Sequence, residues 1–150
     1  MKLNKGIFKY LLFLLFYVIA GCVNPVVVEE PQESHNSAAE SEAAPLDLEP
    51  DVDVETVASI MDRDDVFLLD VREQWEYDAG HIAGNTFIPM GSIPSRLTEI
   101  PKDQTVIIYC HSGARSLRVT NFLSDQGYTN IHNMLGGITA WEQAGLQVEK

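Results

Sequence analysis

Residues 106–115 read VIIYCHSGAR, an apolar run that leads into a cysteine, a glycine and an arginine. Val106–Tyr109 is continuously apolar, which is typical of a strand buried on both faces of a sheet. The segment from about Ser116 to Gln126 has a helical pattern and is followed by Gly127, a common helix stop. A buried strand that passes through a short loop into a helix favours the α/β class.

The same alternation continues on both sides of this unit. Further strands are predicted at Val66–Val71, Thr86–Ile88 and Asn130–Asn133. Helical patterns are found from Asp53, a candidate cap, through Met61, and at Arg72–Asp78, Ile93–Ile100 and Ile138–Ala144. Strands that alternate with helices indicate a mainly parallel sheet covered on both faces. The sequence therefore predicts one α/β domain over residues 51–150.

The loop after Val106–Tyr109 places a cysteine where ligands bind in open parallel sheets, beyond the carboxyl ends of the strands. Gly113 permits a tight curl, and a loop that curls into a helix start points its N–H groups inward. Such a cradle stabilises negative charge, so we expect the pKa of Cys110, at the rim of the cradle, to lie below the usual value of about 8.5. Cys110 is therefore predicted to be a thiolate nucleophile.

Residues 110–116 (CHSGARS) resemble the active loop of single-domain rhodaneses, which are sulfurtransferases. Two other segments resemble the same family, in the expected order. They are Leu69–Arg72 with Glu76 and Gly80–Gly84, and Leu135–Ile138 with Ala140, Trp141 and Ala144–Leu146. The resemblance covers residues 51–150 and implies a three-layer rhodanese-like domain, with a five-stranded, mainly parallel sheet flanked by helices.

The resemblance also implies a double displacement through a persulfide on Cys110. The thiolate would take the outer sulfur of thiosulfate or a similar small anionic donor, and an external thiol or cyanide would then accept it. Arg115 would orient the donor. By position, the persulfide cradle would consist of the main-chain amides of His111, Ser112, Gly113, Ala114 and Arg115. His111 stands where many relatives have Arg, and the smaller fixed positive charge predicts less efficient use of thiosulfate.

Two other functions remain open on the sequence. Four residues separate Cys110 from Arg115, one fewer than in cysteine-dependent phosphatases, and the tighter loop favours a sulfur atom over a phosphate. A rhodanese-like module that carries or senses sulfur, or only docks a partner, is the second alternative, and His111 is its main support.

Asp70 and Arg72 lie at the end of a predicted strand. We interpret them as an ion pair that fixes the following turn rather than as catalytic groups, and we expect Glu76 to join them.

No metal site and no cofactor are predicted, because the sequence has no C-x-x-C or H-x-x-x-H spacing. A net charge of −12 makes nucleic acid a poor partner, since phosphate binding requires clustered Lys and Arg.

Residues 1–21 follow the order of a secretory signal peptide, with a basic start, an apolar run and small residues. Ile19–Cys22 (IAGC) resembles the lipobox of bacterial lipoproteins, which implies cleavage before Cys22 and lipidation of its sulfur. The acyl chains would anchor an exported protein in the membrane of a bacterial cell envelope. Val23 favours the periplasmic face of the outer membrane if the cell is Gram-negative. An uncleaved membrane helix is the alternative.

Residues 22–50 lie between this segment and the domain. From Val23 to Pro50 there are four prolines and seven carboxylates, with no Lys or Arg. Such a composition cannot bury enough apolar area to offset the entropy of ordering, and like charges keep the chain extended. The sequence therefore predicts an acidic, flexible linker that begins with the lipidated Cys22.

Overall fold

The computed structural model describes residues 46–150. The predicted signal peptide at residues 1–21, the predicted lipidation at Cys22 and most of the predicted linker lie outside the described residues. Within residues 46–150, no helix combines the length and the apolar character needed to cross a membrane.

Five strands form one parallel sheet. They are β1 (Asp51–Val52), β2 (Val66–Asp70), β3 (Thr86–Phe87), β4 (Thr105–Tyr109) and β5 (Ile131–Met134). Their order across the sheet is β1-β5-β4-β2-β3, and every neighbouring pair is parallel. The central strand β4 is buried along its whole length, as its continuous apolar pattern predicted. The predicted α/β fold with a five-stranded parallel sheet is confirmed.

Helices cover the sheet. They are α1 (Val54–Ile60), α2 (Gln74–Ala79), α3 (Ala114–Asp125) and α4 (Gly137–Gln143). Asp53 caps α1 as predicted, because its carboxylate accepts the Thr56 N–H at 2.7 Å. Helix α3 begins two residues earlier than the sequence pattern indicated, at the point where Gly113 turns the chain.

The helical segment predicted at Ile93–Ile100 consists of 3₁₀ turns rather than one continuous helix. Two 3₁₀ helices, Met90–Ser95 and Leu97–Glu99, occupy this region, and Arg96 between them leaves helical geometry with a φ of −123°. Pro94 lies inside the first 3₁₀ helix and has no N–H to donate to an α-helical turn.

Alternation along β4 sends its side chains into two separate cores. Val106, Ile108 and the following Cys110 join the core on the side of α3, while Ile107 and Tyr109 join the core on the side of α1 and α4. The sheet is therefore the middle of three layers, and Cys110 leaves it on the α3 side.

The domain begins before Asp51, where the sequence placed its boundary. Leu46 and Leu48 pack against the α1 side of the core, and the Pro50 carbonyl accepts the Asn133 N–H at 2.9 Å. The end of the predicted linker is therefore part of the folded domain. These contacts align β1, a strand that the local sequence pattern did not predict because it has only two residues.

Candidate active site

Cys110 lies directly after β4, and α3 begins four residues later at Ala114. Ala114 and Arg115 thus lie in the first turn of α3 rather than in the loop. Gly113 has a φ of +90°, and a Cβ at this position would lie 3.3 Å from the Gly136 amide nitrogen. Both the backbone conformation and the close packing require glycine here.

The start of α4 holds the carbonyl groups of the Cys110 loop. The N–H of Ile138 donates to the Cys110 carbonyl at 2.8 Å, and the N–H of Thr139 donates to the His111 carbonyl at 3.1 Å. The Thr139 hydroxyl also donates to the His111 carbonyl, at 2.8 Å. Because these carbonyls face α4, the amides of the same loop are free to face the sulfur.

The Cys110 sulfur accepts several hydrogen bonds. The Gly113 N–H donates to it at 3.2 Å and the Ser116 hydroxyl at 3.5 Å. Burial raises the pKa of the Cys110 thiol, but hydrogen bonds from the Ser116 hydroxyl and from the amides of Ser116, Ser112 and Arg115 outweigh it, so the pKa is lowered overall. The donors thus extend to Ser116, one residue beyond the cradle predicted from the sequence.

Cys110 is more deeply buried than the sequence indicated. Only 1% of the residue is exposed, and it packs in the same core as Val106 and Ile108, so the sulfur lies at the floor of the loop rather than at its rim. The reason is the alternation of β4, which directs position 110 beneath the start of α3. His111 and Ser112 are exposed, as is Ala114 at the start of α3.

Arg115 is engaged by a carboxylate. Its Nη1 and Nη2 atoms lie 2.6 and 2.7 Å from the two carboxylate oxygens of Glu76. The hydrogen bonds from Arg115 hold the pKa of Glu76 at about 2, so this carboxylate is ionised throughout the physiological range. The expectation that Glu76 joins Asp70 and Arg72 was wrong for its side chain, because only its main-chain carbonyl accepts a hydrogen bond from Arg72.

The expected ion pair at the end of β2 is present. The Arg72 Nη2 atom lies 2.7 Å from an Asp70 carboxylate oxygen, and both side chains are buried. Arg72 also donates to the Gly80 carbonyl at 2.8 Å, and its own main-chain N–H donates to Asp70 at 2.9 Å. The pair therefore fixes the turn into α2, as the sequence indicated, and Arg72 also holds the residue that follows α2.

A chain of polar contacts that the sequence did not reveal runs from the sulfur to the edge of the sheet. The Ser116 hydroxyl lies 2.6 Å from the Asn133 amide oxygen, and the Asn133 amide nitrogen donates to Asp51 at 2.8 Å. Ser116 could have been noticed as the residue that closes the CHSGARS motif. Asn133 gave no local signal, because it is brought to Ser116 only by the pairing of β5 with β4.

A cleft of about 290 Å³ adjoins the loop. It is lined on the α2 side by Trp75, Glu76 and Gly80, and on the other side by His111, Ile138 and Glu142. The cleft thus joins the first residue after Cys110 to the exposed faces of α2 and α4.

Comparisons with known proteins agree on one family. A family model described as a rhodanese-like domain matches residues 53–144. The chain is 42% identical over 99 residues to a sulfurtransferase of Allochromatium vinosum, and the match covers 65% of this chain and 92% of the relative. It is 33% identical over 93 residues to the thiosulfate sulfurtransferase GlpE of Pseudoalteromonas translucida, and that match covers 62% of this chain and 89% of the relative. The crystal structure of a rhodanese-related protein from Thermoplasma volcanium matches with a TM-score of 0.62 and 28% identity, over 67% of this chain and 98% of that one.

Proposed function

The chain belongs to the family of rhodanese-like domains, and on that premise we propose that it is a sulfurtransferase that moves a sulfane sulfur through a persulfide on Cys110. The observation that carries this proposal is the hydrogen bonding at the sulfur, from the Gly113 amide at 3.2 Å and the Ser116 hydroxyl at 3.5 Å. These donors favour the thiolate, which is the nucleophilic form of cysteine.

The first half of the reaction loads the sulfur. The Cys110 thiolate attacks the outer sulfur of thiosulfate or a similar donor, a new S–S bond forms, and sulfite leaves with the electron pair of the broken S–S bond. The Cys110 persulfide then occupies the space next to the Gly113 amide. In the second half, a thiolate or cyanide attacks the outer sulfur and Cys110 departs as a thiolate, ready for another cycle.

Arg115 needs a new partner if it is to orient an anionic donor. Its guanidinium is held by both oxygens of Glu76, so a donor would have to compete with an ionised carboxylate at 2.6 and 2.7 Å. The role of Arg115 toward the donor therefore stays a prediction. The pairing of Arg115 with Glu76 also predicts inefficient use of thiosulfate, as the replacement of Arg by His111 does.

Two observations favour the second candidate, a module that carries or senses sulfur without significant turnover. Cys110 is only 1% exposed, and Arg115 is engaged by Glu76. A site that accepts a sulfur atom but exchanges it slowly would show both features.

Two measurements on the purified full chain test these functions. Thiosulfate-dependent formation of thiocyanate from cyanide is expected for an enzyme, and replacement of Cys110 by Ser should abolish it. Intact-mass analysis after treatment with thiosulfate or polysulfide should show a gain of about 32 Da, one sulfur atom, on Cys110. The mass gain without turnover would identify a carrier. The absence of both the mass gain and the turnover would overturn the proposal.

We also propose that the domain is held at the cell envelope by lipidation of Cys22. The support is the sequence alone, namely the signal-like residues 1–21, the lipobox resemblance at Ile19–Cys22 and the acidic linker that follows. In a Gram-negative cell this arrangement would place the domain at the periplasmic face of the outer membrane.

A further inference from the structure

An exposed tryptophan stands at the rim of the cleft beside the Cys110 loop. Trp75 on α2 is 73% exposed, whereas Trp141 is buried in the core. A tryptophan that contributes nothing to the core and lines a cleft is unusual, because its large apolar ring is costly to leave in water. Tryptophans in this situation are enriched among the residues that dominate protein–protein binding energy.

The charged groups around the cleft leave an excess of negative charge. The cation of Arg72 is balanced by Asp70, and that of Arg115 is balanced by Glu76. Glu142 on α4 also lines the cleft and is exposed, and none of the ion pairs within residues 46–150 involves it. Because the whole chain has a net charge of −12, a positively charged binding partner is attracted and a negatively charged one is repelled.

The depth of the sulfur limits how a thiol can approach it. Because Cys110 is buried at the floor of the loop, an acceptor must extend its sulfur on a narrow side chain while its bulk stays outside. The cleft extends from His111 across to Trp75 and Glu142, which come from two different helices. A cysteine side chain on a peptide backbone has this shape.

We propose that this cleft is the docking surface for a protein acceptor that presents its cysteine beside Lys or Arg residues. Trp75 contacts the cation through its ring face, and Glu142 pairs with it. The inference rests on the proposed sulfur transfer. The acceptor thiolate attacks the outer sulfur of the Cys110 persulfide, the S–S bond to Cys110 breaks, and its electron pair stays on the Cys110 sulfur, so no external oxidant or reductant is needed.

The test uses two short peptides of equal length, each with a single cysteine, flanked by lysines in one and by glutamates in the other. The purified full chain, kept in mild detergent, is loaded with polysulfide, and loading is checked by intact mass. The rate at which each peptide removes the sulfur is then measured. Because flanking lysines also lower the pKa of the peptide thiol, each rate is divided by the rate of the same peptide with a small disulfide.

We expect the corrected rate of the lysine peptide to exceed that of the glutamate peptide by about tenfold at low salt, since an exposed cation–π contact and an exposed ion pair each contribute about twofold to fivefold. High salt should reduce the ratio. The variants Trp75→Ala and Glu142→Gln should each lower it. The matched controls are Leu135→Ala, at an exposed apolar residue outside the cleft, and Asp125→Asn, at the far end of α3. Neither control should change the ratio of the two corrected rates.

A binding measurement separates this inference from the proposed function. Fluorescent versions of both peptides, with the cysteine replaced by serine, are titrated with the unloaded full chain and followed by anisotropy. Tighter binding of the lysine peptide, weakened by Trp75→Ala but not by Leu135→Ala, supports the docking surface whatever the loading shows. Equal affinities, or an unchanged preference in Trp75→Ala, overturn it. Failure to load Cys110 overturns the proposed sulfur transfer instead.

Discussion

At the scale of single residues, the behaviour of Cys110 depends on how one hydroxyl proton is shared. The Ser116 hydroxyl lies 3.5 Å from the Cys110 sulfur, 3.1 Å from the Gly113 carbonyl oxygen and 2.6 Å from the Asn133 amide oxygen. A hydroxyl group has a single proton, so these three acceptors compete for it. Ionisation of Cys110 makes the sulfur the stronger competitor, since hydrogen bonds to charged acceptors are the stronger ones.

Replacing Ser116 by Ala should raise the pKa of Cys110, because the change removes a donor that stabilises the thiolate. We expect alkylation of Cys110 by iodoacetamide at neutral pH to slow about threefold to tenfold. The pH at which alkylation reaches half its maximal rate should also increase. Ser124→Ala, an exposed position on the same helix, is the control. An unchanged pH profile in Ser116→Ala would show that the amides alone determine the ionisation.

The Glu76–Arg115 pair should make the domain sensitive to acid. The pKa of Glu76 is about 2 in the folded protein, against 4.5 for a free glutamate, so the unfolded chain takes up this proton first as the pH falls. The stabilisation is therefore complete above pH 4.5 and is lost as the pH falls through 2. After discounting for the partly exposed Arg115, the loss is about 2 kcal/mol.

Urea unfolding of Glu76→Gln between pH 2 and pH 6 tests this expectation. The variant should be less stable than the wild type at pH 6, and the difference should shrink towards pH 2. Glu99→Gln is the matched control, since Glu99 forms a similar pair with Arg96 at the surface, where screening by water reduces its effect. A constant difference between wild type and Glu76→Gln at all pH values would contradict the assignment.

At the scale of elements, the junction of β5 with α4 determines the shape of the Cys110 loop. Gly136 and Gly137 have φ values of +71° and +59°. A Cβ on Gly137 would collide with the main chain of Cys110 and His111. The two glycines therefore let the start of α4 approach the carbonyls of the loop.

Gly137→Ala should consequently damage both stability and the reactivity of Cys110. We expect a loss of about 2–4 kcal/mol in the free energy of unfolding, from the left-handed backbone and the displaced loop together. Gly145→Ala has a similar φ of +75° but open space around its Cβ, so it should lose only about 1 kcal/mol. Denaturant unfolding measures the loss of stability in each of the two variants. Equal losses in Gly137→Ala and Gly145→Ala would mean that the loop contact is unimportant.

At the scale of the whole molecule, the two cysteines are predicted to have separate tasks. Cys22 would attach the protein to a membrane, and Cys110 would carry the sulfur. Cys22→Ser should therefore abolish both the incorporation of labelled fatty acid and the cleavage before position 22, because the lipobox is lost. Cys110→Ser is the control and should be labelled and cleaved like the wild type. A wild-type protein that is neither labelled nor cleaved would favour the alternative of an uncleaved helix.

Much of the domain could be predicted because its signals are local. The continuous apolar run at Val106–Tyr109, the cap at Asp53 and the glycine at position 113 each act within a few residues of the chain. The position of Cys110 at the end of the central strand followed from these signals and from the order of strands and helices. The sequence indicated a helical segment around Pro94 but not its 3₁₀ type, because a helical pattern does not distinguish one hydrogen-bonding register from another.

The remaining features depend on contacts between distant parts of the chain. Glu76 and Arg115 are 39 residues apart, and Asp51 and Asn133 are 82 residues apart. No periodicity within a segment encodes which distant carboxylate an arginine will meet. The sequence alone thus determined the fold class and the position of Cys110 in the loop after the central strand. Only the tertiary structure decided that the sulfur lies at the floor of that loop and that its arginine is already paired, because both result from how the strands and helices pack together.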